Sequence, residues 1–442
     1  MTRRRVLIGL VAVGAVLVTI GGAGAAACKF FLDCGLRSAP RYSESQLKSL
    51  ASGPETMLPP GFRQEVVAGG LTFPTDFTFL PDGRILVGEK HGIVRVVKDG
   101  RLLPTPFLDI SARVSNDVFR GLVSVRADPD FAKNGYVYLV YTQRPRGAPG
   151  SPTSEVLSRV TARGDAAVPG SERIILGEGG GRSCLSLPDG ANCIPAEKDH
   201  VGADIAFAKD GTMFVSTGDG GPDHVGPTQL HSQDLDYLGG KILHITTAGQ
   251  GVASNPFWNG DPNANRSKVW AYGLRNPFRM VLDPENGTPY PADVGNDRYE
   301  EVDVASKGVN LGWPCYEGRS RWPRFAASTV CKSLYAKGAA AVRWPAVVYE
   351  HDTSGGRSIT GGAFYTGDAF PARYRGAYFY GDWQAGWLRV VHFDPSNRLL
   401  GKPIPFGTGT SGPVAIRDAP DGSLYYLAFN SSELRRISYG SS

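Results

Sequence analysis

The stretch AKDGTMFVSTGDGG, residues 208–221, sets an Asp-Gly pair at 210–211 directly before an alternating, strand-like run. Asp-Gly or Asn-Gly between such runs is a strong hairpin signal, since these residues accept the positive φ angles a tight turn demands. The pattern recurs in LPDGRILVGEK (Asp82-Gly83), AKNGYVYLVYT (Asn134-Gly135), ENGTPYPADVG (Asn286-Gly287), YRGAYFYGDW (Arg375-Gly376) and PDGSLYYLAFN (Asp421-Gly422). Six such units, spaced irregularly and without long helical periodicity, predict an all-β, six-bladed β-propeller over 62–440. A pair of β-sandwiches is the weaker alternative. In a propeller, loops from one end of the channel line a basin, so residues distant in sequence are expected to share a site.

Bulk composition agrees. The chain has 442 residues, with 57 glycines and 32 prolines beside 41% hydrophobic residues, which suits a turn-rich β-protein rather than a disordered one. A net charge of +5 with no basic run beyond the extreme N-terminus leaves nucleic-acid binding without an electrostatic footprint. No GxGxxG opens a helix and no GxSxG elbow occurs, so neither a dinucleotide fold nor a hydrolase nucleophile is supported.

The N-terminus MTRRRVLIGLVAVGAVLVTIGGAGAAAC joins three arginines to a long apolar run and a small-residue exit. That is the build of an export signal, and the run is also long enough for an uncleaved membrane anchor. We expect a signal peptide or anchor over 1–34, a polar tether over 35–61, and a periplasmic, extracellular or outer-face location. Export makes the cysteines intelligible as near-neighbour pairs: Cys28 with Cys34, Cys184 with Cys193, Cys315 with Cys331.

Five ordered motifs carry a resemblance: KDHVGADIAF with VSTGDGG, YGLRNPFRMVLDP, ADVGNDRYEEVD, GVNLGWPCYEG and RSITGGAFYTG. Over about 62–435 the chain resembles the glucose/sorbosone dehydrogenase family, which includes soluble aldose dehydrogenases dependent on pyrroloquinoline quinone (PQQ). The resemblance implies His200 as the base that takes the sugar's anomeric proton, with Asp199 holding the imidazole. A histidine titrates near neutral pH and a carboxylate supports its protonated form. It implies Arg275 and Asn276 as cofactor contacts, the guanidinium facing developing negative charge. It implies main-chain carbonyls of Gly295 and Asn296 as Ca2+ ligands, a hard cation taking oxygen donors. Without the resemblance each motif has a plainer reading: Asp199 caps a turn, His200 packs in the channel, and Arg-Asn-Pro organises a loop.

Departures from the family pattern are equally specific. PQQ bears three carboxylates that need positive partners on burial. The family's lysine falls at Gln384 here, and its arginine pair near Gly412 and Val414, neither charged. Glutamine contacts fall at Phe119 and near His224. Arg357, Arg389 and Arg417 are candidates to compensate. His224 and His231, with Asp219 or Asp223, make a weak pattern for a transition metal. Trp313, Trp383 and Trp387 suit either sugar stacking or packing between blades. With no haem-attachment motif, electrons would leave to an external acceptor. Two functions follow: an exported PQQ-dependent sugar dehydrogenase, or a non-redox propeller binding carbohydrate or protein at a degenerate cofactor site.

Overall fold

The computed structural model describes residues 56–117, 119–221, 227–351 and 358–440. The leader, Cys28, Cys34, His224 and Arg357 lie outside the described residues.

The innermost strands, in chain order, are Pro74–Phe79, Leu122–Ala127, Ile205–Phe207, Pro277–Leu282, Ile359–Phe364 and Pro413–Asp418. Each belongs to its own antiparallel sheet, and they lie against one another in a ring, the last against the first. This is the six-bladed propeller. Every one of the six turn signatures joins an innermost strand to the second strand of its blade. Gly83 at φ +87° and Gly211 at φ +85° show why glycine stands there, since a Cβ is strained in that region. These hairpins all fall at one end of the disc. Entries to the innermost strands, and the turns from second to third strands, fall at the other.

The ring is closed by Phe62–Ala68, which joins the last blade as its outermost strand, pairing Phe62 with Tyr439 and Val66 with Arg435. The chain is bound to the propeller earlier than the expected tether end at 61, because Met57 exchanges backbone hydrogen bonds with Thr408 at 3.0 and 3.1 Å. Between blades the core is dry. Tyr138, Val140 and Leu157 meet Ile205, Val215 and Leu243, all essentially solvent-free. Full burial of such a side chain contributes about 1.5–3 kcal/mol.

Five innermost strands carry a bulge near their start, between Pro74 and Asp76, Leu122 and Ser124, Pro277 and Arg279, Ile359 and Gly361, and Pro413 and Ala415. A bulge inserts an unpaired residue and re-aims its side chain. The extra residues are Thr75, Val123, Phe278, Thr360 and Val414, and four of these line the axial pocket described below.

Deeper on the axis, Asp76, Arg126, Asp204 and Arg417 form a buried ionic cluster that ties four blades together. Arg417 donates to Asp76 and lies 3.8 Å from Asp204, and Arg126 lies 2.5 Å from Asp204. Burial pushes the Asp76 carboxyl up, but Arg417, Arg126 and Arg279 outweigh it and hold it well below the usual carboxylate range. Cys184–Cys193 and Cys315–Cys331 are disulfides, as the spacing suggested.

Candidate active site at the axial basin

His200, Asp219, Arg275, Asn276, Asn296 and Gln384 gather at one end of the disc. Arg275 and Asn276 immediately precede an innermost strand, and His200 lies a few residues before another. Asp219 follows the second strand of its blade, as Asn296 and Gln384 do in theirs. The topology alone therefore brings three blades to one depression.

His200 is buried, 5% exposed, and takes φ +51°, unusual for a side chain larger than glycine. Its segment is laced to the Asp219 turn: Gly218 N–H donates to Gly202 O at 2.9 Å, and a Cβ on Gly218 would sit 1.7 Å from His200 O. Only glycine can stand at 218. His200 Nδ1 lies 2.6 Å from Asp219 Oδ1. A carboxylate oxygen accepts, so the proton of that bond rests on Nδ1, and in the neutral ring the lone pair is then on Nε2. Asp219 also accepts from Gly221 N–H at 2.9 Å and, on Oδ2, from Trp313 Nε1–H at 2.8 Å. The bond that orients the imidazole was expected from Asp199; the structure gives it to Asp219. Asp219 faces His200 from the adjoining turn, to which the His200 segment is laced by main-chain hydrogen bonds.

Arg275 joins the same cluster. Its carbonyl accepts from Asp219 N–H at 2.8 Å, and its guanidinium carbon lies 5.6 Å from the Trp313 ring centroid. The guanidinium donates to Val294 O at 2.9 Å and to Asn296 Oδ1 at 3.1 Å. Asp293 accepts the main-chain N–H groups of Arg275 and Asn276 at 2.9 and 2.5 Å. Burial pushes the Asp293 carboxyl up to about 7, against those hydrogen bonds and the nearby guanidinium. Asn276 Oδ1 accepts from Gly202 N–H at 2.9 Å, locking this turn to the His200 segment.

The loop expected to offer calcium-binding carbonyls is shaped by a residue the sequence reading passed over. Glu317 Oε1 accepts N–H groups from Asn296 and Asp297 at 2.8 Å, Arg298 at 2.9 Å and Tyr299 at 3.3 Å. Glu317 lies within GWPCYEG, but nothing local in that motif reveals a partner some twenty residues upstream. Gly295 is required there, because a Cβ would fall 1.5 Å from Tyr299 O. Among the described residues no group of three or more His, Cys, Asp or Glu side chains is arranged to hold a metal, and His231 instead packs its ring on Tyr237 at 4.6 Å.

Beside this cluster lies a small, almost wholly apolar pocket lined by Phe119, Val123, Phe278, Trp383, Val414 and Phe429, with Lys90 and Arg120 also in its lining. The surroundings of Gly412 leave little room for a long side chain. Gly412, at φ +70°, lies under Trp383, where an added Cβ would come within 2.9 Å of the indole. The indole fills space that a long basic side chain would need. Of the residues expected to compensate, Arg417 is committed to the buried ionic cluster, and Arg389 stacks 4.1 Å from the Trp387 ring centroid. Gln384 Oε1 is buried with no hydrogen-bond donor among the described residues. Trp387 packs on Tyr349 and Tyr380, the inter-strand role rather than sugar stacking.

A family model described as glucose / sorbosone dehydrogenase matches residues 71–436. The aldose sugar dehydrogenase YliI of Escherichia coli (strain K12) is 28% identical over 396 residues, covering 85% of this chain and 92% of that protein. The HIPL2 protein of Arabidopsis thaliana is 28% identical over 370 residues, 72% of this chain, which spans only 51% of that protein's length. Human Hedgehog-interacting protein is 25% identical over 79% of this chain and 46% of its own. Among solved structures, the PQQ-bound aldose sugar dehydrogenase of Streptomyces coelicolor superposes with a TM-score of 0.63 at 20% identity, covering 86% of this chain and 99% of that one. At that identity the likeness establishes the fold. The length of the family match settles the kinship: this chain belongs to the glucose/sorbosone dehydrogenase family.

Proposed function

We propose that this protein is an exported, PQQ-dependent aldose dehydrogenase. The observation that carries the reading is the His200–Asp219 bond of 2.6 Å, joined through Trp313 to the Arg275 guanidinium. An oriented base and a fixed cation, drawn from different blades into one water-poor cluster, are what proton abstraction coupled to charge transfer requires.

The donor set fits the cofactor's reactive end. Arg275 would face its quinone oxygens, Asn276, Gln384 and His224 would contact it, and the carbonyls of Gly295 and Asn296 would hold Ca2+ beside it. When bound, the quinone supplies the hydride acceptor. His200 Nε2 takes the anomeric hydroxyl proton, and Asp219 stabilises the imidazolium that results, with Asp199 in the segment behind. Burial of the cluster excludes water and strengthens these charges. Electrons then leave to an external acceptor. The basic leader and the two disulfides support export, with 1–34 as signal or anchor, 35–61 as tether and 62–440 as the propeller.

A second reading, a non-redox propeller binding carbohydrate or protein, draws on the apolar Phe119, Gly412 and Val414 and on the likeness to HIPL2 and Hedgehog-interacting proteins. Titrating the propeller, residues 56–442, with PQQ and Ca2+ and assaying dye reduction over a panel of aldoses separates the two. Saturable aldose-dependent reduction that His200→Ala abolishes supports the enzyme. Absence of PQQ binding at micromolar concentration supports the second reading.

A further inference from the structure

One excursion carries the chain's excess charge. The chain has a net charge of +5, yet residues 318–349 hold six basic side chains, Arg319, Arg321, Arg324, Lys332, Lys337 and Arg343, and no Asp or Glu. The rest of the chain is therefore close to neutral. The excursion leaves the third strand of the fourth blade, Tyr299–Val302, and returns as the fourth, Val347–Glu350. Between them it reaches the basin end of the disc, where Trp313 N–H donates to Gly273 O at 2.9 Å and Glu317 gathers the N–H groups of 296–299.

The arginines stand on a rigid mount. Tyr316–Glu317 pairs with Ser320–Arg321 in a hairpin that sets Gly318 and Arg319 at its tip. Gly318 N–H donates to Glu301, and a Cβ at 318 would come within 2.7 Å of the Tyr299 ring. Arg319, Arg321 and Arg324 are exposed, with exposed Arg298 in the turn that Glu317 holds. Arg321 lies 4.3 Å from the Tyr335 ring centroid and Arg298 5.2 Å from that of Tyr299. The turn adds one exposed acid, Asp297, whose carboxylate accepts from Trp322 Nε1–H at 3.4 Å. Cations held this way lose little freedom on meeting an anion. Packed rings also join this rim to the imidazole cluster. Trp313, which donates to Asp219, lies 4.7 Å from Trp322, and Trp322 lies 5.5 Å from half-buried Phe325, centroid to centroid. Electron tunnelling falls steeply with distance, and these contacts keep the path from site to surface short.

We propose that Arg298, Arg319, Arg321 and Arg324 form the docking surface for an acidic one-electron carrier protein, with Trp313 and Trp322 packed between that surface and the site. This rests on the dehydrogenase reading for what is exchanged there. Oxidation of one aldose to its lactone releases two electrons and two protons; two oxidised carriers take one electron each, and the protons pass to solvent. Cations grouped about one hairpin suit the small interface of a transient electron-transfer complex, whereas a long polyanion needs a track of them.

The test uses cytochrome c in two forms, succinylated and so acidic, or native and basic, which holds the haem constant while charge reverses. Binding to the full-length protein is read by biolayer interferometry at low salt, without PQQ or aldose. The acidic form is expected to bind saturably and to release as salt rises, and the native form not to bind. Arg319→Glu combined with Arg324→Glu should weaken the acidic form by roughly tenfold or more. Arg319→Lys combined with Arg324→Lys should keep most of the affinity, which separates lost charge from lost folding. Absence of binding by the acidic form, equal binding of the two forms, or affinity unchanged by the charge reversal overturns the proposal. Binding of polygalacturonate at these arginines without binding of the acidic cytochrome overturns it too, in favour of a polyanion surface. Activity of the PQQ-loaded protein with an aldose then separates the two ideas. Charge-dependent docking with neither dye nor cytochrome reduced keeps the docking surface and rejects the dehydrogenase. Aldose-driven dye reduction, with reduction of the acidic cytochrome equal in wild type and the charge-reversed variant, keeps the dehydrogenase and rejects the docking surface.

Discussion

Asp219→Asn is the sharpest probe of the imidazole cluster. Asp219 is fully buried and receives three donors: His200 Nδ1–H at 2.6 Å, Gly221 N–H at 2.9 Å and Trp313 Nε1–H at 2.8 Å. An asparagine keeps one acceptor oxygen and turns an NH2 toward the other donors. If the oxygen stays on the imidazole, Trp313 faces an N–H, and a stranded buried donor costs about 1–3 kcal/mol. If the amide turns toward His200, the ring must accept on Nδ1 and carry its proton on Nε2, which removes the base. Either way the negative charge that supports the imidazolium is gone. General-base catalysis contributes about 10²–10⁴-fold, and the equivalent exchange in a Ser-His-Asp enzyme costs about 10⁴ in kcat. We therefore expect kcat to fall by at least about a hundredfold with KM for the aldose little changed. Asp199→Asn leaves the Nδ1 bond in place and should lower kcat less. Steady-state dye reduction by the PQQ-loaded protein measures both. A larger loss in Asp199→Asn than in Asp219→Asn would refute the assignment of Asp219.

Three further outcomes follow from the geometry. Gly295→Ala drives a Cβ to 1.5 Å from Tyr299 O, so the Glu317-organised loop must open, and Ca2+ stimulation of activity should be lost while the far-ultraviolet dichroism of the blades persists. Replacing Cys315 and Cys331 together by serine removes a cross-link over a sequence separation of 16, and the chain-entropy relation puts the loss near 3 kcal/mol, read as a lower denaturation midpoint. Arg417→Ala leaves Asp76 buried without its main cation and should cost about 3–5 kcal/mol at neutral pH. Asp76 is held below its unfolded value of about 3.9, so this contribution is present above that pH and fades as pH falls through the folded value. The deficit of Arg417→Ala relative to wild type, followed by denaturant midpoints from pH 7 down to about pH 2, should hold to about pH 4 and shrink below it. A deficit independent of pH would contradict it.

The propeller was legible because its cue is local: each Asp-Gly, Asn-Gly or Arg-Gly turn marks one hairpin, and the structure places all six at the same end of the disc. The histidine and arginine positions were legible as motifs. Their partners were not. Asp219 reaches His200 from the far side of a hairpin and Glu317 reaches Asn296 across a long excursion, contacts that neither periodicity nor adjacency encodes. The axial wall was hidden for another reason. Thr75, Val123, Phe278 and Val414 are bulge residues, which fall out of the strict alternation by which inward and outward side chains are told apart.

The most direct measurement is single-turnover reduction of the PQQ-loaded protein by an aldose bearing deuterium at its anomeric carbon, followed by cofactor absorbance in wild type and His200→Ala. Rapid reduction of the wild type with a primary isotope effect, and its loss in His200→Ala, is the expected result. Reduction that proceeds as fast without the imidazole, or a wild type that no aldose reduces, would show that the His200–Asp219 pair does not serve as the base of a sugar dehydrogenase.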